Sequence, residues 1–250
     1  MTTVLVGPQR QRIRAHETFL CRSSPIFEDA IRGPLAASSS GELCLDTETV
    51  ATFSTFLTWM YTGHIDGARA PRAIPEPSEG VPGSRRIAQD HPLSPVDLIS
   101  LYVFGDNWEI PPLRNDVVSF LIDQIESTEE PAWDLLTTRH EHIHLAFDNL
   151  PKGSPLLRFL IAEAAWLWDP GLLEQDLDDL PNDFLAGVLN ARPRVERRRR
   201  EGMLGWTPWR DDVCIYHDHG PDEAEKQTCH EKHRDLQRRL KAKIRYGTGR

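Results

Sequence analysis

The apolar and polar positions lay out a run of short elements through the first half of the chain. Thr2 to Val6 is β-branched and apolar, Gly7-Pro8 breaks the run, and Arg10 to Arg14 sets basic residues around Ile13. That pattern predicts a β-hairpin. A short helix follows through His16, Phe19 and Leu20. Ser24-Pro25 gives an N-cap and a proline at the first helical position for a second helix through Ile26, Phe27, Ala30 and Ile31, which Gly33-Pro34 ends. After the small, polar stretch 36–41, Glu42 to Leu45 reads as a strand. Val50, Phe53, Leu57, Met60 and Tyr61 then share one face of a helix capped near Asp46 to Thr49 and stopped at Tyr61-Thr62-Gly63. Phe19, Phe27, Phe53, Trp59 and Tyr61 are expected in the core at helical spacing, with His16 as a cap or as the partner of a buried polar group.

Residues 66–95 break this rhythm. Pro71, Pro75, Pro77, Pro82, Pro92 and Pro95 occur there with Gly67, Gly80 and Gly83. Too little apolar surface is left to offset the entropy of ordering, so the segment is expected to be a flexible insertion loop. Ser94-Pro95 caps the next helix, which runs to about Trp108, and Pro112 to Ile125 places Leu113, Val117, Leu121 and Ile125 in one row. Trp133 to Leu136 suggests another short helix. Ser154-Pro155 opens Leu156 to Trp168, apolar nearly all round and hence a buried helix. An acidic turn and a last helix cover Leu180 to Asn190. Beyond Arg192 the chain becomes basic and reads as loop-rich, with Trp206, Trp209 and a cluster of Cys and His.

At 250 residues the chain is long enough for one large domain or two small ones. It has no apolar run long enough for a transmembrane helix. Met1-Thr2-Thr3-Val4 lacks the basic and apolar regions of a secretory signal, and four cysteines are too few for a disulfide scaffold. An intracellular protein, cytoplasmic or nuclear and away from membranes, is expected. The net charge of −9 is unevenly spread. Residues 91–190 carry 18 acidic and 4 basic side chains, whereas residues 191–250 carry 16 basic and 10 acidic. An acidic middle argues against a whole-chain nucleic-acid binder, which needs positive charge gathered on the binding face.

Several of these segments resemble a BTB/POZ domain. They are Val4-Leu5-Val6-Gly7, Ile13-Arg14-Ala15-His16, Phe19-Leu20-Cys21, Ser23-Ser24-Pro25-Ile26-Phe27 and Trp59-Met60-Tyr61-Thr62-Gly63. Leu98 to Asp106 and Ile110 to Asp116 are similar to the last two helices of fungal BTB proteins, so the resemblance spans about residues 3–125. It implies an adaptor that binds itself or other proteins and has no catalytic chemistry. Only Met1-Thr2-Thr3 precede Val4, so dimerisation by exchange of an N-terminal strand is not expected; a homodimer would use the helix containing His16 to Arg22. The resemblance also raises a cullin-type scaffold as partner. The nearest match to the family's apolar-x-Glu motif, Leu35-Ala36-Ala37, lacks the acid and leaves that partner unsupported.

Three constellations bear on chemistry. His140-Glu141-His142-Ile143-His144 contains H-E-x-x-H, which on a helix places two imidazoles on one face for zinc with the Glu as general base; Glu163 is the candidate third ligand. Its helix is marginal, and little chain remains for a substrate cleft. Cys214, His217, His219, Cys229 and His233 offer thiolates and imidazoles at short separations, compatible with a structural zinc site but with no standard finger spacing. Arg192, Arg194 and Arg197 to Arg200 form a basic run that acidic residues between Asp176 and Asp183 are placed to neutralise. No phosphate-binding glycine loop or nucleophile elbow occurs.

The expected fold is α+β: a BTB/POZ-like domain with a small sheet and helical hairpins over 1–128, a helical extension over 129–192, and a basic, loop-rich segment over 193–250. The expected function is a non-enzymatic protein–protein interaction adaptor built on the BTB/POZ-like domain, with self-association as an open option. The alternatives are a zinc-dependent hydrolase using His140, Glu141 and His144, or a nuclear regulatory protein with a basic, zinc-stabilised tail.

Overall fold

The computed structural model describes residues 1–33, 42–65, 93–127, 139–167, 177–203, 206–220 and 223–246. The proposed helix at Trp133 to Leu136, the Leu35-Ala36-Ala37 motif and nearly all of the 66–95 insertion lie outside these residues. The chain divides into two compact units, Met1–Leu113 and Arg114–Arg250.

The first unit is built on a three-stranded sheet of order β2-β1-β3. β1 (Thr2–Val6) pairs antiparallel with β2 (Gln11–Ala15), Val4 opposite Ile13, and parallel with β3 (Glu42–Leu45), Val4 opposite Leu43. The hairpin turn needs Gly7, whose φ of 73° lies in the left-handed region and whose carbonyl accepts from Arg10 N–H. The helices follow as two pairs. α1 (Glu17–Ser23) packs on α2 (Pro25–Arg32), and α3 (Val50–Thr62) packs on α4 (Pro95–Asn107). The fold class is α+β, as the alternation of strand and helix signals implied.

The caps explain where these helices start and stop. Thr49 Oγ1 accepts from Thr52 N–H at the start of α3, and Gly63, in the left-handed conformation, ends it with its N–H on Trp59 carbonyl. Ser94 and Asp97 form a reciprocal capping box on α4. Ser24 has two tasks: its Oγ accepts from Phe27 N–H and donates to Trp108 carbonyl at 2.5 Å. Phe27 stacks on Trp108 with centroids 4.4 Å apart, and Phe53, Phe56 and Phe104 close the aromatic core around it. Ser24→Ala strands both a helix-terminal N–H and a carbonyl, so it should destabilise this unit by about 1–3 kcal/mol in a urea melt.

The second unit contains α5 (Pro111–Ser127) from Arg114 onward, α6 (His140–Asn149), α7 (Pro155–Leu167), α8 (Asn182–Arg200), α9 (Pro208–Asp211), α10 (Glu223–Lys232) and α11 (Arg234–Tyr246), with 3-10 turns at Leu177–Asp179 and Val213–Tyr216. Ile143, Ala164, Ala165, Phe184, Val188, Val195 and Trp206 form its main core cluster. Trp209 is fully buried edge-on to Phe159 and Trp166.

Two readings of this region are corrected. The helix expected to stop at Asn190 runs on to Arg200 through Pro193. Pro193 and Leu189 are both exposed, so the missing N–H falls on the solvent side, while Phe184, Val188 and Val195 keep the buried face intact. The C-terminal segment expected to be loop-rich is helical over α10 and α11. Its inward positions are Cys229, His233, Leu236 and Leu240, spaced as one helical stripe whose first two members are not hydrocarbons.

Candidate functional site

In the first unit, His16, Phe19 and Tyr61 form a cluster on the surface. Phe19 is 44% and Tyr61 45% exposed, which corrects their expected place in the core. The three rings meet edge to face, with centroids 5.5–5.9 Å apart. Nor does His16 cap α1 with its side chain or serve a buried group. It is exposed, its Nδ1 lies 2.9 Å from Tyr61 Oη, and its backbone N–H donates to the same oxygen at 3.1 Å. The N-terminus of α1 is thereby pinned to the C-terminal turn of α3.

In the second unit the C-terminal cysteines and histidines converge. The Val213–Tyr216 turn is capped by Asp212, whose carboxylate accepts from Cys214 N–H, and this aims the Cys214 side chain inward. Cys229 comes from the buried face of α10. Their sulfurs are 3.7 Å apart and neither is in a disulfide. His217 Nδ1 lies 3.0 Å and His233 Nδ1 3.6 Å from Cys229 Sγ. Two triplets have donor atoms within 4.8 Å of one another and share Cys229: Cys214, His219 and Cys229, and His217, Cys229 and His233. Asp212, Cys214 and His230 form a third, with His230 exposed.

Helix α5 holds this cluster from behind. Ser119 Oγ lies 2.9 Å from His217 Nε2, and Asp116 Oδ1 lies 3.3 Å from His233 Nε2. Asp116 Oδ2 also accepts from Lys232 Nζ at 2.6 Å. Asn115 clamps the backbone between His217 and His219: its Nδ2 donates to Asp218 carbonyl at 2.8 Å and its Oδ1 accepts from Asp218 N–H. Arg114 pairs with the Asp218 carboxylate.

The electrostatics follow from burial and from these contacts. Burial pushes His217 below its ordinary value and so favours the neutral imidazole. Burial pulls His233 down as well, but hydrogen bonds to Asp116 and Cys229 outweigh it and raise the group to about 9. The hydrogen bond between the two sulfurs, the largest influence on each, raises Cys214 and lowers Cys229. One thiol is held protonated beside a sulfur that favours the thiolate.

Residues 1–72 match the family model of the BTB/POZ domain. No curated protein matches the chain. The BTB/POZ match gives the N-terminal segment a protein–protein interaction role, and it covers β1, β2, α1, α2, β3 and α3, including the His16, Phe19 and Tyr61 surface.

The structure places the other constellations as follows. On α6, His142 is buried at 3% exposure and Glu141 is exposed; His144 lies 3.9 Å from Asp148. His140 and His144 join none of the potential metal-holding groups among the described residues. Glu163 is buried on α7, with no hydrogen-bond partner for its Oε2. Among the described residues, the basic run is engaged close at hand. Arg192 pairs with Glu196, Arg194 with Asp211, and Arg198 with Glu201. Arg194 and Arg198 also lie over the Trp206 ring. Asp183 pairs instead with Lys152 at 2.7 Å. No helix among the described residues is long and apolar enough to cross a membrane.

Sequence reasoning missed Asn115, Asp116 and Ser119 as supports of the Cys/His cluster. The available signal was the polar row Asp116, Ser119, Asp123 and Glu126, which recurs at helical spacing beside the apolar row of α5.

Proposed function

We propose that the protein is a non-enzymatic adaptor that uses its BTB/POZ domain to bind itself and other proteins. The observation that carries this is the match over residues 1–72. Leu98 to Asp116, similar to the last helices of fungal BTB proteins, support a domain longer than the matched segment. Four cysteines outside disulfides support a reducing compartment, the cytoplasm or nucleus.

Self-association is proposed through α1 and the end of α3. Phe19 and Tyr61 together expose aromatic area of the kind that anchors interfaces, and Tyr61 keeps a polar oxygen tied to His16. Sedimentation equilibrium at micromolar concentration should give a dimer. Phe19→Ala should shift it to monomer while leaving the thermal midpoint nearly unchanged, because an exposed side chain contributes within about 0.5 kcal/mol to folding. A wild-type chain that stays monomeric at every accessible concentration removes self-association from the proposal. The adaptor role is then tested by capture of partners on wild-type protein and on the Phe19→Ala, Tyr61→Ala variant.

A further inference from the structure

Cys214 and Cys229 hold their sulfurs at the separation that a shared tetrahedral metal requires. Two thiolates each about 2.3 Å from zinc stand about 3.8 Å apart, and the observed distance is 3.7 Å. His219 completes a triplet with them. Its Nε2 is buried and has no hydrogen-bond partner, an unfavourable state that a metal bond relieves.

His217, which meets this triplet at Cys229 and lies with His233 in the second one, is the better of two candidates for the fourth position. A neutral imidazole carries one N–H. Donated from Nε2 to Ser119 Oγ, it leaves the Nδ1 lone pair facing Cys229 Sγ, so that an ion between the two atoms meets two donors. This is the arrangement in which an outer hydrogen bond fixes the tautomer of a metal-binding histidine. His233 is otherwise engaged. Its Nδ1 lies 3.0 Å from the carbonyl of Cys229, one helical turn back, and its Nε2 lies against Asp116. A nitrogen that donates to a carbonyl has no lone pair for an ion.

We propose that Cys214, His217, His219 and Cys229 hold one structural zinc ion, with Ser119 positioning His217 and with His233 and Asp116 behind Cys229. Two thiolates and two imidazoles suit zinc in charge and softness. Binding releases the Cys214 thiol proton to solvent and, with the Cys229 thiolate, leaves the zinc–dithiolate unit neutral. The ion would join the Val213–Tyr216 turn to α10, and through Ser119 to α5. This inference stands independently of the adaptor reading, since it concerns the second unit alone.

The test uses the full chain. Protein produced with zinc in the medium should contain about one equivalent of zinc, falling below about a tenth in Cys214→Ser and in His219→Ala. A variant that unfolds also loses metal, so the deciding measurement is on wild-type protein: cobalt(II) titrated into the zinc-free chain should give tetrahedral d–d bands and thiolate-to-cobalt charge transfer saturating at one equivalent. His233→Ala should keep the metal, and His217→Ala should lose it. The reverse result for those two variants overturns the assigned ligand set. Folded wild-type chain with less than about a tenth of an equivalent of zinc and no cobalt bands overturns the site.

Discussion

Glu126→Ala should lower the stability of the second unit by about 3–5 kcal/mol, the range for removing one member of a buried ion pair. Glu126 projects from the last turns of α5, and its side chain is 5% exposed. Its carboxylate is gripped by Arg210, through Nε to Oε1 at 3.0 Å and Nη2 to Oε2 at 2.6 Å. The same Oε1 accepts from Trp209 Nε1 at 2.8 Å and Thr207 Oγ1 at 3.3 Å. Truncation therefore deprives a nearly buried guanidinium and a fully buried indole of a common acceptor. Glu126→Gln keeps one acceptor oxygen and should cost less, while Glu126→Leu with Arg210→Met should recover much of the loss because no charge is then buried alone. Urea melts followed by tryptophan fluorescence compare the three. A loss below about 1 kcal/mol for Glu126→Ala would mean that water screens the pair as it does at an exposed surface.

The second large effect concerns pH. Glu163 is 1% exposed on α7, and burial alone raises its carboxyl from 4.5 to about 8. Folded chain therefore holds this proton where unfolded chain has released it. Between pH 4.5 and 8 the unfolded state binds fewer protons, so stability falls as pH rises. The contribution is fully present below about pH 4.5 and is lost by about pH 8, a change of roughly 4–5 kcal/mol in total. In the folding equilibrium that is about tenfold per pH unit. Glu163→Gln, neutral at every pH, should flatten the slope and leave the variant more stable than wild type at pH 8. Equal slopes in the two proteins would show that the carboxyl is ionised in the folded state.

Legibility in the sequence followed the chemistry of the buried faces. Where those faces are hydrocarbon and the ends carry capping residues, as in β1, α2, α4 and α7, the elements were readable almost to the residue. Where the buried stripe begins with Cys229 and His233, the period is present but does not register as apolar, and α10 and α11 read as loop. Pro193 misled for a complementary reason: proline reads as a helix stop unless the face it occupies is known. Phe19 and Tyr61 show the opposite limit. Helical spacing tells which residues share a face, and for these two the aromatic character suggested the core while the face points to solvent. The cysteine and histidine ligand candidates were visible as a spacing, but their supports on α5 were not. Nothing local links Ser119 to His217 or Asp116 to His233 across a hundred residues of chain.

That separation has a consequence for how the protein is made. Ser119 and Asp116 must wait for partners 98 and 117 residues further on. At the usual 5–20 residues per second, roughly 5–25 seconds of translation separate the emergence of α5 from that of α10. The first unit needs nothing beyond Leu113 for the contacts described within it and is free to fold in that interval. The second unit closes late, by contacts of high sequence separation that fold slowly. A ribosome stalled after Arg200 should therefore carry a protease-resistant N-terminal unit and a cleavable α5.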